Sequence, residues 1–275
     1  PVTCVRRSLP RFHRPRNQLN FPTRLNRDIR LNSREDFPGQ RGSVNGTFIT
    51  FEGIDGSGKS TQLRLLSNYL RSLRCELVLT REPGGTPLGL RLRAALLDAH
   101  EQVDPLTELL VFAADRAQHV RRLLRPALES DQVVLSDRYA DATVAYQGAG
   151  RGFSREVVNE IVELATEGLK PDLTLLFDLP VAACLERTRR RTESRQKGDR
   201  LDAENSDFHS RVREAYLRIA MSEPERVKIV DTSGSVEETH LRVKEIVVPF
   251  LRSRDCHLRP TRGGDLQAGV KADHC

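Results

Sequence analysis

Residues 47–61 read TFITFEGIDGSGKST. An apolar, β-branched run (Phe48, Ile49, Phe51) stops at Gly53 and passes a few mostly small residues. It ends in Gly58-Lys59-Ser60-Thr61. The spacing G-x-x-x-x-G-K-S is that of a phosphate-binding loop, and its context is the one this chemistry needs. A buried strand delivers the chain to a glycine-rich loop whose dihedrals are barred to other residues. The loop's N–H groups turn inward as an anion nest. The apolar spacing of Gln62 to Leu70 predicts a helix whose N-terminus adds unpaired donors and a positive dipole end. Lys59 is then the cation on the transferring phosphate, and the Ser60 hydroxyl is the ligand of a nucleotide-borne Mg²⁺. The candidate ATP site is Gly53, Ile54, Asp55, Gly56, Ser57, Gly58, Lys59, Ser60 and Thr61.

Outward from this loop, strands and helices alternate. The apolar patterns predict strands at Glu76–Thr80, Val133–Ser136, Leu173–Asp178 and Val227–Val230. They predict helices at Leu88–Leu97, Leu106–Leu128 (with a stop near Pro126), Arg155–Leu169, from Pro180 onward, Asp207–Ala220 and Glu237–Leu251. With the first strand this makes a five-stranded parallel sheet with helices on both faces. Ligands of such sheets collect at the carboxyl ends of the strands. There the chain carries Gly53, then Arg81-Glu82-Pro83-Gly84-Gly85, Asp137-Arg138-Tyr139, Asp178 and Asp231-Thr232. Asp137 sits where a Walker-B acid would hold Mg²⁺, directly or through water; a helix-capping role is the alternative. Arg81 and Arg138 suit a clamp on a second phosphorylated group, because the guanidinium fork makes paired charge-assisted bonds. The stretch RTRRRTESRQKGDR, Arg187–Arg200, reads either as a solvated charged face or as a lid bringing arginines onto the transferring phosphate.

The chain of 275 residues has net charge +6. No run approaches the roughly 18 apolar residues of a membrane span. Its five cysteines (Cys4, Cys75, Cys184, Cys256, Cys275) are scattered, without zinc or disulfide spacing. A reducing, cytoplasmic setting follows from that usage. Residues 1–43 hold ten arginines, no lysine and three acids, broken by Pro10, Pro15, Pro22 and Pro38. This segment reads as a disordered leader. A transit peptide, an RNA-binding arm or an over-extended start are its other readings. Residues 253–275 read as a polar tail, leaving a catalytic domain over 44–252.

Five blocks occur in the order seen in bacterial thymidylate kinases: TREPGGT (80–86), FAADRAQ (112–118), DRY (137–139), AYQGAGRG (145–152) and PDLTLL (171–176). The chain resembles that family from about Thr47 to Leu251. The resemblance implies the P-loop NTPase fold with an arginine-rich lid over about 188–202, usually in a homodimer, and formation of dTDP from dTMP and MgATP. It implies that Phe112 stacks under thymine, that Arg116 bonds the base carbonyl, and that Tyr146 disfavours a ribose 2′-hydroxyl. Thr143 and Gln147 lie near the base edge. Arg138 is similar to the binder of the dTMP phosphate, Arg81 to a phosphate-bridging arginine, Asp55 to the acid that accepts the sugar 3′-hydroxyl, and Arg187 to an arginine packed on adenine. Ser57 departs from relatives that carry a basic residue inside the loop, so the catalytic arginine is expected from the lid: Arg191, Arg195 or Arg200. A kinase for another deoxynucleoside monophosphate is the runner-up. A non-catalytic nucleotide- or RNA-binding protein is the remoter one, disfavoured by intact Lys59, Ser60 and Asp137.

Overall fold

The computed structural model describes residues 45–98, 102–195, 200–201 and 204–254. The Arg-rich leader, residues 196–199 and 202–203 of the expected lid, and the tail beyond Arg254 lie outside the described residues. In chain order the elements are β1 (Thr47–Glu52), α1 (Lys59–Ser72), β2 (Leu77–Arg81), α2 (Pro87–Leu97), α3 (Pro105–His119), a π-helical turn (Val120–Leu124) and α4 (Arg125–Glu129). Then come β3 (Val133–Asp137), α5 (Ala140–Thr143), a π-helical stretch (Val144–Gly150), α6 (Arg155–Thr166), β4 (Leu173–Asp178), α7 (Val181–Arg195), α8 (Ser206–Ser222), β5 (Val227–Asp231) and α9 (Val236–Ser253).

The five strands form one parallel sheet in the order β2-β3-β1-β4-β5. β1, β3 and β4 are buried almost throughout, as strands covered on both faces must be. Along β1 the side chains alternate. Ile49 and Phe51 pack with Leu66 and Leu70 of α1 and Val243, Val247 and Leu251 of α9. Phe48 turns the other way, onto Val120, Leu124 and Leu128. Glu52 has the parity of Phe48 and so faces the second side, at the strand's functional end.

Local chemistry sets the helix starts. Thr86 and Asp104 cap α2 and α3, each followed by proline in the first turn. Ser235 and Glu238 close a capping box on α9. One expectation needs correction. The 106–128 stretch does not stop at Pro126; it widens into a π-turn at Val120–Leu124 and re-forms as α4, with Pro126 in a first turn where its missing N–H costs little. The block AYQGAGRG, despite its three glycines, is helical through Gly150. Gly150 is demanded by packing rather than by a turn: a Cβ there would lie 2.6 Å from the Phe208 ring of α8.

Candidate active site

The phosphate loop is laid between β1 and α1 as its spacing predicts. Gly58 caps α1 with φ of 98°, so Lys59 and Ser60 open the helix. Gly56 is at φ +82°, and a Cβ there would meet the Cys184 carbonyl oxygen at 2.2 Å. The loop is thus seated directly on α7, the helix that leads into the arginine-rich segment. Buried Lys59 folds back over the loop, donating from Nζ to the Ile54 carbonyl at 2.9 Å. Burial, with Arg138 nearby, lowers its pKa against the pull of Asp55, Asp137 and Glu52. The Ser57 hydroxyl is buried without a hydrogen-bond partner, as in a cradle shaped for a ligand oxygen.

Strand register assembles the second wall. Asp137 lies opposite both Phe51 of β1 and Arg81 of β2. The Ser60 hydroxyl donates to Asp137 Oδ2 at 2.7 Å, so the two candidate metal ligands already meet. Two adjacent hard oxygens, with the remaining positions left to phosphate and water, match the way Mg²⁺ is usually held. Ser60, Thr80, exposed Arg81, Gly84, Gly85 and Asp137 line an open cleft beside the loop.

The third part is a cleft lined by Asp55, Phe112, Arg116, Arg138, Thr143, Tyr146 and Gln147, among others. Seven residues expected to handle the acceptor therefore share one pocket. Arg138 donates from Nη2 to Asp55 Oδ1 and Oδ2 at 2.9 and 2.8 Å, and to the Tyr146 hydroxyl at 3.0 Å. Burial pushes the Asp55 carboxyl up, but Arg138 and Lys59, with Arg191 beyond them, outweigh it and hold the group well below the usual carboxylate range. Arg138 itself has φ of 73°. A non-glycine residue in that region costs roughly 1–3 kcal/mol and persists only where its surroundings over-determine it.

Arg116 is held rigidly: Nε donates to Glu82 at 2.8 Å, Nη1 to Thr143 Oγ1 at 2.8 Å and Nη2 to the Tyr139 carbonyl at 2.8 Å. Three of its five donors are spent on orientation, leaving two for a ligand. Half-buried Phe112, one helical turn earlier on α3, presents its ring to the same pocket. Gln147 is oriented by Glu108, which accepts its amide at 2.8 Å.

The lid arginines separate. Arg200 is bound to Glu108 and to the Leu96 carbonyl, on the side of the base pocket. Arg191, exposed on α7, contributes to the field that depresses the Asp55 carboxyl. The side chain of Arg195 lies outside the described residues. Arg187, midway along α7, donates to the Thr232 carbonyl just past β5 at 3.2 Å.

Sequence reasoning missed the buried acids behind these groups. Glu82 joins Arg116 and His119. Glu108 receives Gln147, Arg151 and Arg200. Glu52 receives Tyr139 and Tyr216. For Glu52 a signal existed: an acid at a core-facing strand position.

A family model described as thymidylate kinase matches residues 51–243. The chain belongs to the thymidylate kinase family. A thymidylate kinase of Pelobacter propionicus is 50% identical over 212 residues, 76% of this chain and 95% of the relative. One of Desulfovibrio desulfuricans is 50% identical over 211 residues, 75% of this chain and 97% of the relative. The crystal structure of thymidylate kinase from Ehrlichia chaffeensis superposes with a TM-score of 0.61 at 33% identity, covering 74% of this chain and 98% of that one. The parallel sheet seen here is therefore the P-loop fold of thymidylate kinases, and the chain is a phosphotransferase acting with nucleotides.

Proposed function

We propose that the chain transfers the γ-phosphoryl group of ATP to the phosphate of dTMP, giving dTDP and ADP for dTTP synthesis. One observation carries the reading: Arg138 joins the phosphate loop, through Asp55, to the pocket that holds Phe112 and Arg116. A donor phosphate on the loop and a nucleotide in the pocket therefore meet at one guanidinium. A phosphate oxygen of the acceptor attacks the γ-phosphorus, and the bond to the ADP oxygen breaks in line. That oxygen is already anionic, so catalysis rests on positioning and charge neutralisation. Lys59 and the loop N–H groups receive the donor phosphates, and Arg138 receives the acceptor phosphate. Arg191 fits the remaining position near the transferring group better than Arg200, which Glu108 engages. Ser60 and Asp137 are the residues that would hold Mg²⁺, which neutralises developing phosphate charge when bound.

Phe112 stacks on the base, Arg116 with Thr143 and Gln147 reads its edge, and the Tyr146 hydroxyl beside Asp55 occupies the space a ribose 2′-hydroxyl needs. Arg81 bridges the phosphates from the β2 end, and Arg187 flanks adenine. Leu106 and Leu110 of α3 and Val157 and Leu164 of α6 are all at least 40% exposed on mutually packed helices; a second copy of the chain is the occupant we assign to them. No helix among the described residues is long and apolar enough to cross a membrane, and we place the enzyme in the cytoplasm. Turnover with dTMP, dUMP, dCMP, dGMP and thymidine tests the reading. dTMP should lead, with dUMP poorer by the worth of one methyl group, about 1–3 kcal/mol. Turnover of dCMP or thymidine without dTMP overturns it.

A further inference from the structure

Glu52 ends β1 immediately before the phosphate loop and is wholly buried. Nothing in the reaction described above uses it. Its Oε1 accepts the backbone N–H of Tyr139 at 2.7 Å, and its Oε2 accepts the Tyr216 hydroxyl of α8 at 2.7 Å. The residue between Asp137 and Tyr139 is Arg138, whose backbone is left-handed at φ of 73°. Its own N–H donates to the Phe51 carbonyl at 3.0 Å, and its carbonyl accepts from the Ser136 hydroxyl at 2.8 Å. The elbow is therefore fastened before, at and after Arg138, and the last fastening is the Glu52 carboxyl.

We propose that Glu52 is a positioning residue for the acceptor phosphate, pinning the Arg138–Tyr139 peptide so that the Arg138 guanidinium is delivered beside Asp55. The proposal rests on the reading of Arg138 as the acceptor-phosphate arginine. A backbone held only by the side chain of Arg138 would relax toward common dihedrals and carry the guanidinium away from the pocket. The charged and titratable groups facing Glu52 are Arg138, Asp141, Tyr216, Lys59 and Arg116. Burial and then Asp141 push its carboxyl up to about 8, against Arg138. Burial and Asp141 thus disfavour its ionisation, which weakens its competition with Asp55 for the guanidinium.

The test is steady-state kinetics on the full chain, with ATP binding measured directly. Wild-type turnover of dTMP is measured first. Its absence rejects the substrate reading, and the variants are then compared with whichever deoxynucleoside monophosphate the wild type accepts. Glu52→Ala is expected to lower kcat/KM for the acceptor at least 30-fold while ATP affinity changes less than threefold. Glu52→Gln, whose carbonyl still accepts the Tyr139 N–H, should return to within threefold of wild type. Glu52→Ala combined with Arg138→Ala should be no worse than Arg138→Ala alone, since both remove the same delivered group. Ser136→Ala, which releases the elbow from its other side, should lose acceptor kcat/KM five- to tenfold with ATP affinity intact, and it decides the matter if Glu52→Ala does not fold. Unchanged acceptor kinetics in Glu52→Ala, equal loss of ATP affinity, multiplying losses in the double variant, or an inert Ser136→Ala each overturn the proposal.

Discussion

A single guanidinium nitrogen of Arg138 spans both carboxylate oxygens of Asp55, at 2.9 and 2.8 Å, across 83 positions of sequence. The phosphate loop and the elbow after β3 are thus joined by a charge-assisted pair.

Arg138→Ala is expected to cut kcat/KM for dTMP by at least the worth of one charge-assisted hydrogen bond, about 1.5–3 kcal/mol, lowering kcat as well as affinity. ATP affinity should fall less. Initial rates over a grid of both substrates check this, and equal losses for both substrates would contradict the division of labour.

Phe112→Ala should act differently. Its ring lines the cleft together with Arg116, Thr143 and Gln147. The loss should appear as a higher KM for dTMP, worth on the order of 1–3 kcal/mol of stacking, with kcat nearly unchanged.

For the arginines of the expected lid, the structure separates two of three candidates. Arg191→Ala should lower kcat at saturating substrates by about 10³–10⁵, the range of an arginine finger. Arg200→Ala, which removes a partner of buried Glu108, should show mainly a raised KM for dTMP through Gln147. The reverse ranking under saturating conditions would place the catalytic charge on Arg200.

Gly56→Ala should damage the enzyme although it removes no functional side chain. The new Cβ is opposed by φ of +82° and by the Cys184 carbonyl at 2.2 Å. Strain of roughly 1–3 kcal/mol in the free protein is expected, read as a lower Tm together with weaker ATP binding, because loop and α7 must separate.

Glu52 also makes a stability prediction. Its folded pKa, raised to about 8 from 4.5, means that the folded state binds more protons than the unfolded one between those values. Stability contributed at this site therefore falls as pH rises from about 4.5 to 8. His209 and His240, whose folded pKa values lie below 6.5 because of burial, push the opposite way up to that pH. Comparing Glu52→Gln with wild type isolates the carboxyl: the difference in Tm should shift steadily in favour of the variant as pH rises from 5 to 8.5. A pH-independent difference would show that Glu52 ionises without cost.

The sequence by itself determined the phosphate loop, the five strands and most helix starts. It also determined which groups crowd the carboxyl end of the sheet: Lys59, Ser60, Arg81, Asp137 and Arg138 occur there at strand ends. These features are legible because their causes are local. A strand's alternation, a glycine's dihedral and a cap's hydrogen bond each involve residues within a few positions of one another. The block FAADRAQ likewise displayed Phe112 and Arg116 one turn apart.

Only the tertiary structure decided what holds those groups in place. Glu52 meets Tyr139 across 87 positions and Tyr216 across 164. Glu108 gathers Gln147 and Arg151 from one segment and Arg200 from another, up to 92 positions away. A charged residue read from a chain looks solvated by default. Whether it is buried, shifted in pKa and set to orient an arginine depends on which distant strands and helices close around it. The order β2-β3-β1-β4-β5 does this by setting the end of β3 beside the phosphate loop. The same long-range packing explains why Arg191 and Arg200, indistinguishable within one arginine-rich run, reach different sides of the site.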